Sequence, residues 1–281
     1  MAERSDRMPY RLSPTLRDRL ATGDRPLVGG WLCTGSPIVA EIMAGAGLDL
    51  LLIDMEHAPN SLESVLTQLQ VLAAYPVTAA VRLPAADPVI IKQVLELGAQ
   101  NIVVPMVSTP AEALAVSRAA QYQPTGIRGV GSPLARSARW TRVPGYLTEA
   151  ARHVCVVVQI ETPEGVDRAE AIAATEGVDG VLVGPSDLAA AMGLIGQQDD
   201  PTVVAAVHRA FAGIRAAGKR IGVNAFDPVV ARRYAAAGAD FVLVGADVIL
   251  LAQASAALAD SLAEERVTDG RSGRDRERNR T

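Results

Sequence analysis

The stretch DLLLIDMEHAPN, residues 49–60, runs from an apolar segment into Asp54, Glu56 and His57. An imidazole with an ordinary pKa near ~6.5 can take or give a proton at neutral pH, and a neighbouring carboxylate can hold it in one tautomer. Arg82 ends the segment VTAAVRL. A guanidinium fixed there can clamp a carboxylate or a developing oxyanion in bidentate fashion, or form a salt bridge with a neighbouring acid. Gln159 and Glu161 end VCVVVQIE, two positions apart and so on one face of an extended strand. Asp187 follows in GPSDL. Two carboxylates on adjacent strands can hold a hard divalent cation through oxygen, leaving water and substrate to complete the shell. Either acid could instead cap the helix or turn that follows it.

The remaining residue types narrow the chemistry. Of three histidines, His153 precedes a strand and His208 falls in a helical segment, so His57 alone stands at a strand's C-terminal end. The two lysines, Lys92 and Lys219, are not at such ends, which argues against a Schiff-base mechanism. Cys33 and Cys155 show neither metal-ligand spacing nor a disulfide framework. The loop arginines Arg128, Arg136 and Arg139 could bind a distal substrate carboxylate or simply be solvated.

These residues need a scaffold that gathers strand ends. From Leu27 onward, β-branched runs alternate with Ala-rich stretches of helical period. The strands are expected at 27–33, 49–54, 77–83, 101–106, 154–161, 179–184, 220–224 and 240–245. Helices are expected at 37–46, 61–73, 87–97, 110–120, 163–175, 201–217, 228–237 and 247–262. The strands are apolar on both faces, as interior parallel strands are. Eight such pairs over roughly 235 residues match an α/β fold of the (β/α)8 TIM-barrel type, whose chemistry sits at the C-terminal strand ends. A doubly wound sheet would carry a Gly-rich phosphate turn after its first strand, and none is present. The expected layout is an N-terminal extension (1–24), a single barrel domain (25–263) and a charged, disordered tail (264–281). The segment 121–150 reads as a long Gly/Pro/Arg-rich loop. A net charge of −4 favours neither nucleic acid nor an anionic membrane, which points to a small-molecule partner. With no signal-peptide or membrane-spanning stretch, a cytoplasmic location is expected.

The segments IDMEHAPN, VRLPAADP, VPMV, GIRGVGSPLARSARW, VQIETPEG, GVDGVLVGPSDL and AAGADFVLVGAD resemble, in order, the signatures of the HpcH/HpaI aldolase family. The similarity is greatest to its 4-hydroxy-2-oxoheptanedioate aldolase branch. The resemblance implies a divalent metal (Mg, Mn or Co) and reversible cleavage of 4-hydroxy-2-oxo acids to pyruvate and an aldehyde such as succinic semialdehyde. It implies that Glu161 and Asp187 hold the metal, that Arg82 lies against the keto oxygen, and that Gln159, Ser186 and Asp187 contact pyruvate. His57 would be the base with Asp54 nearby, and Trp31 would wall the pocket. It also implies a homohexamer of domain-swapped pairs, with the last helix exchanged. Met55, Ser186 and Glu96 depart from the branch's commonest pattern of Gly, Ala and Asp, which bears on aldehyde preference. The alternatives are a CoA-thioester lyase of the malyl- or citramalyl-CoA type and a non-catalytic barrel that binds an organic acid.

Overall fold

The computed structural model describes residues 12–261, and the charged tail from Glu264 lies outside them. Eight parallel strands close in chain order into one barrel: β1 (Leu27–Leu32), β2 (Leu50–Asp54), β3 (Thr78–Arg82), β4 (Asn101–Val104), β5 (Cys155–Ile160), β6 (Gly180–Val183), β7 (Arg220–Asn224) and β8 (Phe241–Ala246). This is the (β/α)8 barrel expected from the alternating pattern. Six of the surrounding helices begin the same way, with Ser36, Asp87, Thr109, Thr162, Asp200 or Asp227 accepting a backbone N–H and proline following at once. The cap satisfies a donor that the first turn leaves unpaired, and proline has no N–H there to lose.

Strand period two sorts the core into two layers. Leu51, Ile53, Val81, Val156 and Val158 face the helices. Leu50, Leu52, Ala80, Val103, Cys155, Val157 and Phe241 fill the barrel. Continuing the inward series to the strand ends places Asp54 after Leu52, Arg82 after Ala80 and Gln159 after Val157. The alternation that builds the core therefore also aims the polar residues into its mouth.

Phe241 occupies the interior because β7 offers a glycine beside it. A Cβ on Gly222 would lie 2.1 Å from the Phe241 ring. Gly222→Ala is expected to cost about 3 kcal/mol or more through overpacking, read as a lower denaturation midpoint in urea. An unchanged midpoint would mean that the ring yields freely.

The floor of the barrel is closed by Leu16–Thr22, a helix within the N-terminal extension that the sequence pattern did not mark. A capping box joins Thr15 and Asp18, and the buried Leu16 and Leu20 enter the interior cluster. The Leu16 N–H donates to Asn101 Oδ1 at 2.6 Å, and Arg17 reaches Asp179 at 3.1 Å, both next to strand beginnings. Two other departures are local. The helix expected over 163–175 is broken at Arg168 into Pro163–Asp167 and Ala169–Ala173, and an extra helix, Pro185–Ala191, follows β6. Segment 121–150 is compact, with two 3-10 turns, a four-residue helix (Tyr146–Glu149) and another 3-10 turn (Ala150–His153). A last helix covers residues 247–261, and from residue 250 onward it is exposed along its whole length.

Candidate active site

Asp54 and Arg82 end neighbouring strands in direct register. Arg82 donates from Nε and from a terminal nitrogen to the two Asp54 oxygens, both at 2.8 Å. Its other terminal nitrogen lies 3.0 Å from Glu56 Oε2, an ion pair outside hydrogen-bond geometry. One face of the guanidinium rests on the Trp31 ring, 4.2 Å from its centroid. Trp31 in turn donates to Asn224 Oδ1 at 2.8 Å. Arg82 and Asp54 are both buried, so strand pairing, a bidentate bond and an aromatic platform hold one cation rigidly at the mouth.

His57 stands at the rim, its side chain 62% exposed and its Nε2 3.9 Å from Glu56 Oε2. Its neighbouring carboxylate is thus Glu56, while Asp54 is engaged with Arg82. Burial raises the Glu56 carboxyl above its ordinary value, against the pull of Arg82 and His57. The loop is fixed from beneath by Asn60, which donates to the carbonyls of Asp54 (2.7 Å) and Leu32 (3.2 Å).

Glu161 is only 2% exposed. It accepts the Met106 N–H at 2.7 Å and a bond from the Gln159 amide. Burial, reinforced by the charges of Asp187 and Glu56, pushes it up to about 7. The helix that follows is capped by Thr162, so Glu161 is free of that duty. Asp187 lies exposed in the first turn of Pro185–Ala191, whose N-cap, Gly184, makes no side-chain bond. Gly184 matters for space: a Cβ there would press on Glu161 Oε2 at 3.0 Å and Gln159 Nε2 at 3.2 Å. Gln159 Oε1 is buried without a hydrogen-bond partner among the described residues. A hard divalent cation fits this donor set, in which the Glu161 and Asp187 charges repel one another and a carbonyl oxygen is left without a partner among the described residues. Among the described residues no cluster of three or more His, Cys, Asp or Glu converges, so such an ion would draw its other ligands from substrate and water.

A cavity of about 280 Å³ joins these groups, walled by Trp31, Asp54, His57, Arg82, Gln159, Ser186 and Asp187. Cys33 also lines it, but burial together with the Asp54 and Asp247 charges holds the thiol up at about 12. The loop arginines lie elsewhere. Arg128 is sealed against Glu96 at 2.7 Å, Arg136 donates to the carbonyls of Leu97 and Leu69, and Arg139 donates to the Arg136 carbonyl. Glu96, which also accepts from Ser137, is thereby tied to segment 121–150.

Two contributors were not singled out in the sequence. Met106 adopts a positive φ of 59° just past β4, the turn at which its N–H meets Glu161. Nothing in VPMV marks that conformation. Asp247 accepts from Cys33 N, Thr34 N, Thr34 Oγ1 and Val248 N, binding the ends of β1 and β8 together. It follows the last strand directly, so the strand-end criterion used for the other acids would have found it.

The HpcH/HpaI aldolase/citrate lyase family model matches residues 27–254. The chain is 50% identical over 254 residues to a hydroxypyruvate/pyruvate aldolase of Deinococcus radiodurans, covering 90% of this chain and 91% of that protein. It is 49% identical over 257 residues to a 4-hydroxy-2-oxo-heptane-1,7-dioate aldolase of Salmonella arizonae, covering 92% and 97%. A solved HpcH/HpaI aldolase/citrate lyase family protein from Burkholderia cenocepacia J2315 superposes with a TM-score of 0.84 at 41% identity, covering 90% of this chain and all of that one. With the family model spanning the barrel and two aldolases near half identity, the chain belongs to the HpcH/HpaI aldolase/citrate lyase family and is a carbon–carbon lyase.

Proposed function

We propose that the protein is a divalent-metal-dependent aldolase that reversibly cleaves 4-hydroxy-2-oxo acids into pyruvate and an aldehyde, with 4-hydroxy-2-oxoheptanedioate and succinic semialdehyde one such set. The observation that carries this reading is the Asp54–Arg82–Trp31 array, which fixes a cation on the same cavity as the buried Gln159, itself bonded to Glu161, where a lysine-dependent enzyme would need an amine. The lysines support it: Lys219 donates to the Val178 carbonyl, and Lys92 lies on the helix Pro88–Glu96.

In cleavage, His57 accepts the proton of the C4 hydroxyl at the rim, with Glu56 beside it to stabilise the imidazolium. The C3–C4 bond breaks, the aldehyde departs, and the electron pair moves through C2 onto its oxygen. Arg82 faces that growing charge, preorganised by Asp54 so that little reorganisation accompanies the reaction. Gln159 and Ser186 orient the pyruvate portion, and protonation at C3 completes the product. A divalent cation held by Glu161 and Asp187 would add Lewis-acid stabilisation of the same oxygen.

Exposed apolar side chains support the homohexamer of swapped pairs that the resemblance implies. Leu250, Leu251 and Leu258 are exposed on the last helix, as are Ile38 and Ile42 on Pro37–Ala44. Packing that helix onto a second copy would cover both apolar sets, the first step toward a homohexamer.

The test is condensation of pyruvate with a panel of aldehydes, one divalent metal at a time. Metal-dependent formation of a 4-hydroxy-2-oxo acid is expected. Undiminished activity in excess chelator, or turnover confined to CoA thioesters, would overturn the reading.

A further inference from the structure

A separate cavity lies at the floor of the barrel, the end opposite Asp54 and Arg82. It encloses about 200 Å³ beside Thr78 and Asn101, the first residues of β3 and β4. Arg19 of the helix Leu16–Thr22 and Arg136 and Arg139 of segment 121–150 line it, and no aspartate or glutamate stands on its walls among the described residues. In a chain of net charge −4, this is a local inversion of sign.

The cations are held in place without being neutralised. Arg136 donates to the carbonyls of Leu97 (3.0 Å) and Leu69 (3.2 Å), and Arg19 donates to that of Pro76 at 3.4 Å. Neither forms an ion pair among the described residues. A guanidinium has more donors than these carbonyls use, so both keep N–H groups for a further acceptor.

Gly98 brings two of the charges together. A Cβ there would lie 2.8 Å from a terminal nitrogen of Arg136 and 2.8 Å from one of Arg139, so both half-buried side chains press on one point that only a glycine leaves open. Burial and the Arg139 charge pull the Arg136 guanidinium down to about 10. Like charges crowded in a partly desolvated place are costly, and an anion shared between them offsets that cost.

We propose that the floor cavity binds a small phosphomonoester, its phosphate held by Arg19 and Arg136 and its carbon skeleton against Leu69, Leu72 and Val77. A phosphate monoester brings about two negative charges and three acceptor oxygens, which suits several guanidinium forks better than a single carboxylate does. The cavity is small, so the ester is too. Thr78 and Arg82 are the two ends of one strand, which puts this ligand and the reactants at opposite ends of the barrel. The site stands independently of the aldolase reading.

The experiment is calorimetric titration of glycerol 3-phosphate into the Mg²⁺-loaded, full-length protein at fixed ionic strength in chloride, with inorganic phosphate and glycerol titrated separately. Saturable binding of the ester is expected, weaker binding of phosphate, and none of glycerol. Saturating pyruvate should leave the Kd of the ester unchanged. Arg136→Gln should weaken that Kd roughly 10- to 100-fold, the loss of charge-assisted hydrogen bonds, and should remove the rise in melting temperature that the ester gives wild type. Arg19→Gln takes only one long bond from the fold, so it should fold as wild type, cleave as wild type in phosphate-free buffer, and weaken the Kd in the same direction; it decides the question alone if Arg136→Gln does not fold. No saturable binding of the ester, a Kd weakened by pyruvate, or wild-type affinity in the folded variants would overturn the site.

Discussion

Arg82→Ala is expected to lower the turnover of aldol cleavage by on the order of 10²–10³, the usual loss when one preorganised electrostatic partner of a developing oxyanion is removed. A stability cost comes with it, because Arg82 is the bidentate partner of a buried carboxylate. Removing one member of a buried ion pair strands the other, at about 3–5 kcal/mol. The two effects can be separated. The double variant Asp54→Asn, Arg82→Ala leaves no charge stranded at position 54, though Glu56 still loses its partner, and should regain part of the lost stability while its turnover stays low. Urea denaturation read beside kcat for wild type, single and double variants makes the distinction. Wild-type turnover in either variant would exclude Arg82 from the chemistry.

The second large effect concerns Glu161 in metal-free protein. Its folded pKa of about 7 lies above the ordinary 4.5. For a raised pKa, the stabilising contribution is complete below the unfolded value and is lost as pH rises through the folded one. Metal-free wild type should therefore lose stability relative to Glu161→Gln between about pH 5 and pH 8, by at most about 3 kcal/mol. Glutamine keeps an acceptor for the Met106 N–H without the charge. Added Mg²⁺ or Mn²⁺ should raise the melting temperature of wild type and not of the variant, since only a site that binds in the folded state gives that linkage. A difference that shrinks with rising pH, or equal metal responses, would show that Glu161 is neither the burdened carboxylate nor a ligand. A group that destabilises the empty protein is what a binding site built for a cation should contain.

Much of this arrangement was legible before any coordinates. The strands were readable because interior parallel strands are apolar on both faces, and the site acids because each stood at the end of such a run. Leu16–Thr22 was not readable: with only Leu16 and Leu20 buried, it is defined by what it covers. The partners of the site residues were the least legible. That Asp54 grips Arg82 depends on the β2–β3 register, and that Glu161 meets Met106 depends on a single positive φ past β4. The loop arginines show the same dependence, since sequence left binding or solvation open and the fold turned Arg128 inward onto Glu96. Composition names the groups available, whereas register and backbone handedness decide which of them touch.

The helix sealing the floor has a consequence for the order of events. With Leu16 and Leu20 plugging one end of the barrel, reactants and products pass through the mouth at the other end. Among the residues walling the cavity, exposure falls from His57 at the threshold to Gln159, 2% exposed. On the proposed roles of Gln159 and His57, pyruvate would lie deeper than the aldehyde, with the aldehyde in its way out. Those roles would make departure sequential, first the aldehyde and then pyruvate, with pyruvate seated before its partner arrives in the reverse direction.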